Sequence, residues 1–278
     1  MSNKLMTQKY ITMLDGKKIP QIGLGVWQAT NDETERAVTT AFEAGYRSID
    51  TATVYENEKG VGAAIKSSVL NRKEMFITTK LWNPEHNNVR GAINKSLELL
   101  ELDYVDSYLI HWPAPSQNLY VSAWEELIRA QEDGLVRSIG VSNFLPEHIE
   151  RILKETGVKP TINQIELHPL LSQKEITQWC TNQGIKVQAW SPLAQGGEGI
   201  FKHKDIIKIA NHYGKSPAQV VLRWHIQNNI IAIPKSVTPS RIIENFNVFD
   251  FELTLDDLTI IDNLNQNKRL GPHPLEFE

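Results

Sequence analysis

The stretch MFITTKLWNPEHNNVRGAINKSLELLELDYVDSYLI (75–110) holds one full repeat of the pattern that decides the fold. MFITTK (75–80) and VDSYLI (105–110) are short runs rich in Ile, Val, Thr and Tyr, the composition of buried strands. Between them, VRGAINKSLELLELD places Ile93, Leu97 and Leu100 on one side of a helix. Strand, helix and strand in this order form the unit from which parallel sheets are built.

The alternation continues in both directions. Further strands are expected at RSID (47–50), RSIGV (137–141), INQIE (162–166), KVQAW (186–190) and IIAIPK (230–235), mostly about 25–30 residues apart. A first strand around QIGLGVW (21–27) brings the series to eight. The segment NDETERAVTTAFEAG (31–45) reads as a helix with Asn31 or Asp32 as N-cap and Gly45 as C-terminal cap. Another, LYVSAWEELIRAQEDG (119–134), ends on Gly134. The long interval from 190 to 230 contains GGEG (196–199) and two more helical stretches, and reads as an insertion over one end of a barrel. YITMLDGKKIP (10–20) has a DG turn between alternating apolar residues, a hairpin signal. No linker interrupts the series. The expected architecture is therefore a single (β/α)8 barrel domain over 1–278, with an N-terminal β-hairpin and loop insertions at its C-terminal face; a doubly wound sheet is the competing arrangement.

Bulk properties restrict the function. A net charge of -4 over 278 residues argues against a general nucleic-acid binder. No stretch has the length of a membrane span, and MSNKLMTQKY (1–10) lacks the apolar core of a signal peptide. The one cysteine, Cys180, lies in the helical pattern KEITQWCTNQG and has no partner for an internal disulfide. The expected setting is the cytoplasm, with a monomeric chain acting on a small molecule.

In a barrel of this kind the C-terminal strand ends face the active site. Asp50 ends RSID, Lys80 ends MFITTK, and His111 follows VDSYLI. Ser142 and Asn143 follow RSIGV, Glu166 and His168 close INQIE, and Lys235 ends IIAIPK. Polar and ionisable groups at so many successive strand ends point to a site rather than to structural filler. Trp27, Trp82 and Trp112 also lie just past strand ends and suggest an aromatic-walled substrate cleft, with His273 of the tail GPHPLEF (271–277) as a further contact.

Several blocks together carry a resemblance. GYRSIDTATVYENE (45–58), DSYLIHWP (106–113), RSIGVSNF (137–144), NQIELHP (163–169), AWSPL (189–193) and IPKSVTPSRIIENF (233–246) occur in the order found in aldo-keto reductases. The chain resembles that family, and within it the bacterial branch of 2,5-diketogluconate and glyoxal or methylglyoxal reductases. The resemblance implies a tetrad of Asp50, Tyr55, Lys80 and His111 for NADPH-dependent carbonyl reduction. Its chemistry is coherent. An alkoxide formed by hydride addition needs a proton, Tyr55 can give one, and the Lys80 ammonium should make the phenol more acidic. Asp50 would hold Lys80, while His111 would donate to the carbonyl oxygen.

No GxGxxG follows a strand, and KGVGAA (59–64) has the wrong spacing, so a Rossmann site is unsupported. The resemblance implies instead that Ser142, Asn143 and Gln164 hold the nicotinamide carboxamide and that Trp190, where many relatives carry tyrosine, stacks on its ring. It also places Gly25, Val26, Trp27, Ser191, Leu193, Ser236 and Val237 along NADPH. Lys235 and Arg241 suit a 2′-phosphate, with Glu244 and Asn245 facing the adenine. Trp27, Tyr55, Trp82, His111 and Trp112 would meet the substrate. Two other readings stand beside this one: a metal-dependent hydrolase or lyase using Asp50, His111, Glu166 and His168, and a nucleotide-binding regulatory protein of the same fold.

Overall fold

The computed structural model describes residues 8–197 and 199–277. Residues 1–7, the larger part of the segment read as too polar for a signal peptide, lie outside the described residues, as do Glu198 of the GGEG loop and Glu278.

Two short strands come first, β1 (Tyr10–Thr12) and β2 (Lys18–Pro20), paired antiparallel as the DG signal required. Gly16 turns the hairpin with a φ of 79°, a left-handed conformation that costs glycine little. Eight parallel strands follow: β3 (Leu24–Gly25), β4 (Ser48–Asp50), β5 (Phe76–Leu81), β6 (Val105–Ile110), β7 (Val136–Ser142), β8 (Ile162–Glu166), β9 (Lys186–Trp190) and β10 (Ile231–Ala232). Each pairs with its neighbours in chain order. The sheet curls until its edges meet, through isolated parallel bridges Ile22–Ala232 and Gly25–Lys235. The Gly23 N–H donates to Ala232 O at 2.9 Å across the same seam. This is the (β/α)8 barrel.

The two seam strands are shorter than the sequence suggests, at two residues each against the expected 21–27 and 230–235. Pro234 has no N–H to donate, so regular pairing stops before it and only single bridges continue.

Helices α1 (Asn31–Ala44), α2 (Glu58–Ser67), α3 (Val89–Leu100), α4 (Tyr120–Glu132), α5 (Pro146–Thr156) and α6 (Lys174–Asn182) alternate with the strands. The β9–β10 interval divides into the short turn α7 (Ala194–Gly197) and two helices, α8 (Lys204–Tyr213) and α9 (Pro217–Gln227). Ile206 and Ile209 of α8 and Val220 and Leu222 of α9 join the main core. Only the first part of the interval is thus an insertion over the barrel mouth. The chain ends with α10 (Pro239–Phe246) and α11 (Leu255–Asp262). The N-cap of α1 is Thr30 rather than Asn31 or Asp32. Its hydroxyl accepts from Glu33 N at 3.3 Å, and the Glu33 carboxylate returns a bond to Thr30 N at 2.9 Å, a reciprocal cap that neither expected residue forms.

Alternate strand residues divide between two cores. Ile77, Leu81, Tyr108, Ile110 and Val141 pack outward under the helices with Ile93 and Leu97. Phe76, Ile162 and Ile231, at the starts of their strands, pack with Met13 and Ile19 of the hairpin. The hairpin thereby closes the N-terminal end and leaves the other end open. The barrel wall is tight at Gly140, where a Cβ would lie 2.7 Å from Leu109 Cδ2 and 2.9 Å from Ile162 O. Gly140→Val is therefore expected to lower the unfolding free energy by about 1–3 kcal/mol through overpacking. Urea denaturation checks this, and an unchanged midpoint would contradict the packing.

Candidate active site

A cleft of about 1180 Å³ opens at the C-terminal ends of the strands. Its walls are built from the loops that leave those strands. Gly25, Val26 and Trp27 come from the β3 exit, Asp50 and Tyr55 from β4, Trp82 from β5, and His111 and Trp112 from β6. Asn143 and Gln164 follow on β7 and β8, and Trp190, Ser191 and Leu193 on β9. Lys235, Ser236 and Val237 leave β10, and Arg241, Glu244 and Asn245 project from α10. Besides His273 of the tail, two of the residues the sequence singled out for tetrad, cofactor and substrate, Lys80 and Ser142, are not on the wall. Both are fully buried just beneath it.

Lys80 is 0% exposed and Asp50 2%, and their side chains form an ion pair inside the barrel. Lys80 Nζ also donates to Thr51 O at 2.8 Å. Asp50 Oδ2 accepts from Gln164 Nε2 at 2.7 Å, and the same amide donates to Gln188 Oε1 at 2.9 Å. Burial alone would lower the lysine pKa. The Asp50 carboxylate and Tyr55 outweigh that effect, so the pKa lies above the ordinary lysine value and the side chain is an ammonium.

Tyr55 closes a single helical turn, Thr53–Tyr55, that Thr53 Oγ1 ties to Lys80 O at 3.1 Å. Lys80 Nζ stands 5.1 Å from the Tyr55 ring centroid. Burial raises the phenol pKa and Lys80 opposes it; the net direction is upward. Lys80 thus pulls the phenol toward greater acidity, the direction expected from the sequence, while desolvation of the phenolate is the larger effect and sets the net direction. Tyr55 is a neutral phenol, able to donate a proton. Its ring meets the His111 ring edge-on at 5.7 Å between centroids. Burial, and then the nearby Lys80, hold His111 well below the usual histidine value, so it is a neutral imidazole.

Asn57 locks the Tyr55 loop to its neighbour. It is fully buried, accepts from Thr51 Oγ1 at 2.7 Å and donates to Val26 O at 2.8 Å and Ala29 O at 3.1 Å. Across the cleft, Asn143 and Ser191 adopt left-handed backbone conformations with φ of 60° and 47°. Non-glycine residues rarely do so, and the strain sits where the chain turns sharply off β7 and β9. Asn143 Nδ2 donates to His111 O at 3.0 Å and to Ser142 Oγ at 3.1 Å, while Trp190 Nε1 donates to Asn143 Oδ1 at 2.8 Å. Ser142 accordingly backs Asn143.

Reading the strand ends did not reveal Phe277, Gly271 or Pro272. All three line the cleft, whereas His273 does not. Phe277 lies 4.5 Å from Trp112 and 5.9 Å from Trp82 between ring centroids. Gln195, Gly196 and Phe201 from the β9 insertion and Ser216 and Pro217 at the start of α9 also line the wall. The metal-site reading fails on geometry: among the described residues no three His, Cys, Asp or Glu converge as ligands. Asp50 is committed to Lys80 and Gln164, and Glu166 to His168 and two backbone amides.

The chain belongs to the aldo/keto reductase family, whose model matches residues 21–266. It is an oxidoreductase that carries out NADPH-dependent carbonyl reduction, and the regulatory-protein reading is not favoured. It is similar to a methylglyoxal reductase, DkgA, of Yersinia pestis, at 56% identity over 97% of this chain and 98% of that protein. Among solved structures it is similar to an aldo/keto reductase from Brucella melitensis, with a TM-score of 0.90 and 49% identity over 93% of this chain and 98% of the other. A Gox0644 mutant in complex with NADPH gives a TM-score of 0.93 at 43% identity, covering 98% of this chain and 100% of the other.

Removing one partner of the buried pair should be costly. Asp50→Asn is expected to destabilise the fold by about 3–5 kcal/mol at neutral pH, because it leaves the Lys80 charge uncompensated. Because the folded Lys80 pKa is raised, its stabilisation is complete below the ordinary lysine value and is lost as pH rises past the folded value. Urea titrations at about pH 8 and about pH 11 should show that loss in the native chain and a smaller one in Asp50→Asn.

Proposed function

We propose that this chain, as a monomeric single-domain enzyme of the cytoplasm, reduces small aldehydes, ketones or dicarbonyls, of the 2-oxoaldehyde or keto-sugar type, to alcohols by hydride transfer, with Tyr55 as the general acid. The observation that carries the reading is Tyr55 at an open cleft, its ring centroid 5.1 Å from Nζ of the buried Lys80 and edge-on to the His111 ring at 5.7 Å. Similarity to a methylglyoxal reductase supports the substrate class. Cys180, a buried free thiol whose pKa burial pushes up to about 11, suits a reducing compartment.

Bound NADPH would supply a hydride to the carbonyl carbon. The residues present suit that cofactor. Lys235 and Arg241 are exposed at the cleft and make no ion pair among the described residues, so both cations are free to take a 2′-phosphate. Asn143 and Gln164 offer amides beside Trp190, whose indole gives a flat face at the end of β9. Glu244 is held by Ser216 Oγ at 2.5 Å, which fixes the wall where Asn245 also stands.

Within this cleft, His111 orients the carbonyl by donating to its oxygen, and Tyr55 gives that oxygen its proton as charge develops there. Lys80 stabilises the phenolate left behind, and Asp50 keeps the ammonium in place. Each turnover consumes one hydride and one proton, and solvent restores the phenol. Tyr55→Phe is expected to reduce kcat for methylglyoxal by about two to four orders of magnitude with little change in NADPH binding. Near-normal turnover would refute the general-acid role. Arg241→Ala should weaken NADPH binding about ten- to a hundredfold and NADH binding far less; equal losses in fluorescence titrations would refute the phosphate contact.

A further inference from the structure

The NQIELHP block contains a buried carboxylate that carbonyl reduction does not use. Glu166 ends β8 and is 0% exposed. Its Oε1 accepts from His168 Nε2 at 2.9 Å and from the backbone N–H of Leu270 at 2.7 Å. Its Oε2 accepts from the Gly271 N–H at 3.0 Å and lies 3.7 Å from the Arg269 guanidinium. The main chain takes part as well. Glu166 O accepts from Gln173 Nε2 at 2.5 Å, and Gln173 Oε1 accepts from Arg269 at 3.4 Å.

Burial works against an ionised carboxyl at this position. The bonds from His168 and the two amides outweigh it and hold the Glu166 pKa below the ordinary value. A charged acceptor meeting two N–H groups makes strong bonds, and these join residues 104 and 105 positions apart in the chain. Beyond Gly271, the backbone of the described residues bonds only within the segment, as in Glu276 N to His273 O at 3.0 Å. Yet this segment supplies Gly271, Pro272 and Phe277 to the cleft wall. Gly271 is pressed against the indole, since a Cβ there would lie 2.4 Å from Trp190 Cη2.

We infer that Glu166 is a positioning residue that latches the C-terminal segment through the Leu270 and Gly271 amides, holding Gly271 on Trp190 and Phe277 on Trp112, and so sets which carbonyl substituents the cleft accepts. It takes no part in hydride or proton transfer. The assignment of the pocket to carbonyl substrates rests on the function proposed above; the latch itself does not.

The test uses the whole chain, Glu166→Gln, a chain ending at Arg269, and the combination of both changes. Backbone amide exchange at Leu270 and Gly271 is read first, because it needs no activity. Glu166→Gln keeps the shape but loses the charge and should speed exchange there by about tenfold or more. It should also raise KM for benzaldehyde by about tenfold, the scale of a lost aromatic contact, while leaving kcat for methylglyoxal and NADPH affinity within about twofold. In the chain ending at Arg269 the same substitution should add nothing to the benzaldehyde KM, because the two changes remove one interaction. A purely structural glutamate would instead cost the same in both backgrounds. Unchanged exchange at 270 and 271, or equal KM effects with and without the segment, would overturn the latch. Should Glu166→Gln fail to fold, the shortened chain still decides: an unchanged benzaldehyde KM overturns the proposal. If no carbonyl oxidises NADPH in the native protein, the function fails while the exchange result still judges the latch.

Discussion

The Lys80–Asp50 ion pair is the constraint on which the rest of the structure depends. Two opposite charges sit inside the barrel, almost wholly removed from water, and the desolvation cost of each must be met locally. Thr51 O and Gln164 Nε2 provide the remaining partners, and Gln188 holds Gln164 in turn. The polar layer therefore joins side chains from β4, β5, β8 and β9 just below the cleft floor. Apolar residues of similar volume would stabilise a barrel at least as well. What the pair adds is a fixed ammonium beside Tyr55, which hydrophobic packing cannot supply.

That layer explains why chemistry collects at one end of the barrel. The hairpin fills the other end with Met13 and Ile19 against Phe76, Ile162 and Ile231. At the open end the loops are held by specific bonds, such as those of Asn57 to Val26 O and Ala29 O, rather than by apolar mass. The strained turns at Asn143 and Ser191 are tolerated because strands β7 and β9 beneath them are paired to a neighbour on both sides. Rigid strands and bonded loops give a preorganised surface for charge that develops only during reaction.

Much of this was legible in the chain. The period of strands and helices is a local property, and β6, β8 and β9 fall on the residues their apolar runs mark, Val105–Ile110, Ile162–Glu166 and Lys186–Trp190. The strand-end rule found Asp50, Lys80 and His111 because it needs only the direction of each strand. The seam was less legible. Pairing of β3 with β10 depends on closure between segments some two hundred residues apart, and it is limited to single bridges near Pro234. Local chemistry also misled at the α1 cap, where Thr30 rather than its neighbours meets Glu33.

By itself, then, the sequence determined the barrel class, the family and the groups proposed for the chemistry, because periodicity and residue type are carried by neighbours along the chain. Tertiary structure alone decided that burial outweighs Lys80 at Tyr55, that Ser142 backs the wall, and that Phe277 rather than His273 faces the cleft. It alone tied Glu166 to Leu270 and Gly271. Desolvation and long-range contact are properties of three-dimensional surroundings, and no local pattern of residues encodes them.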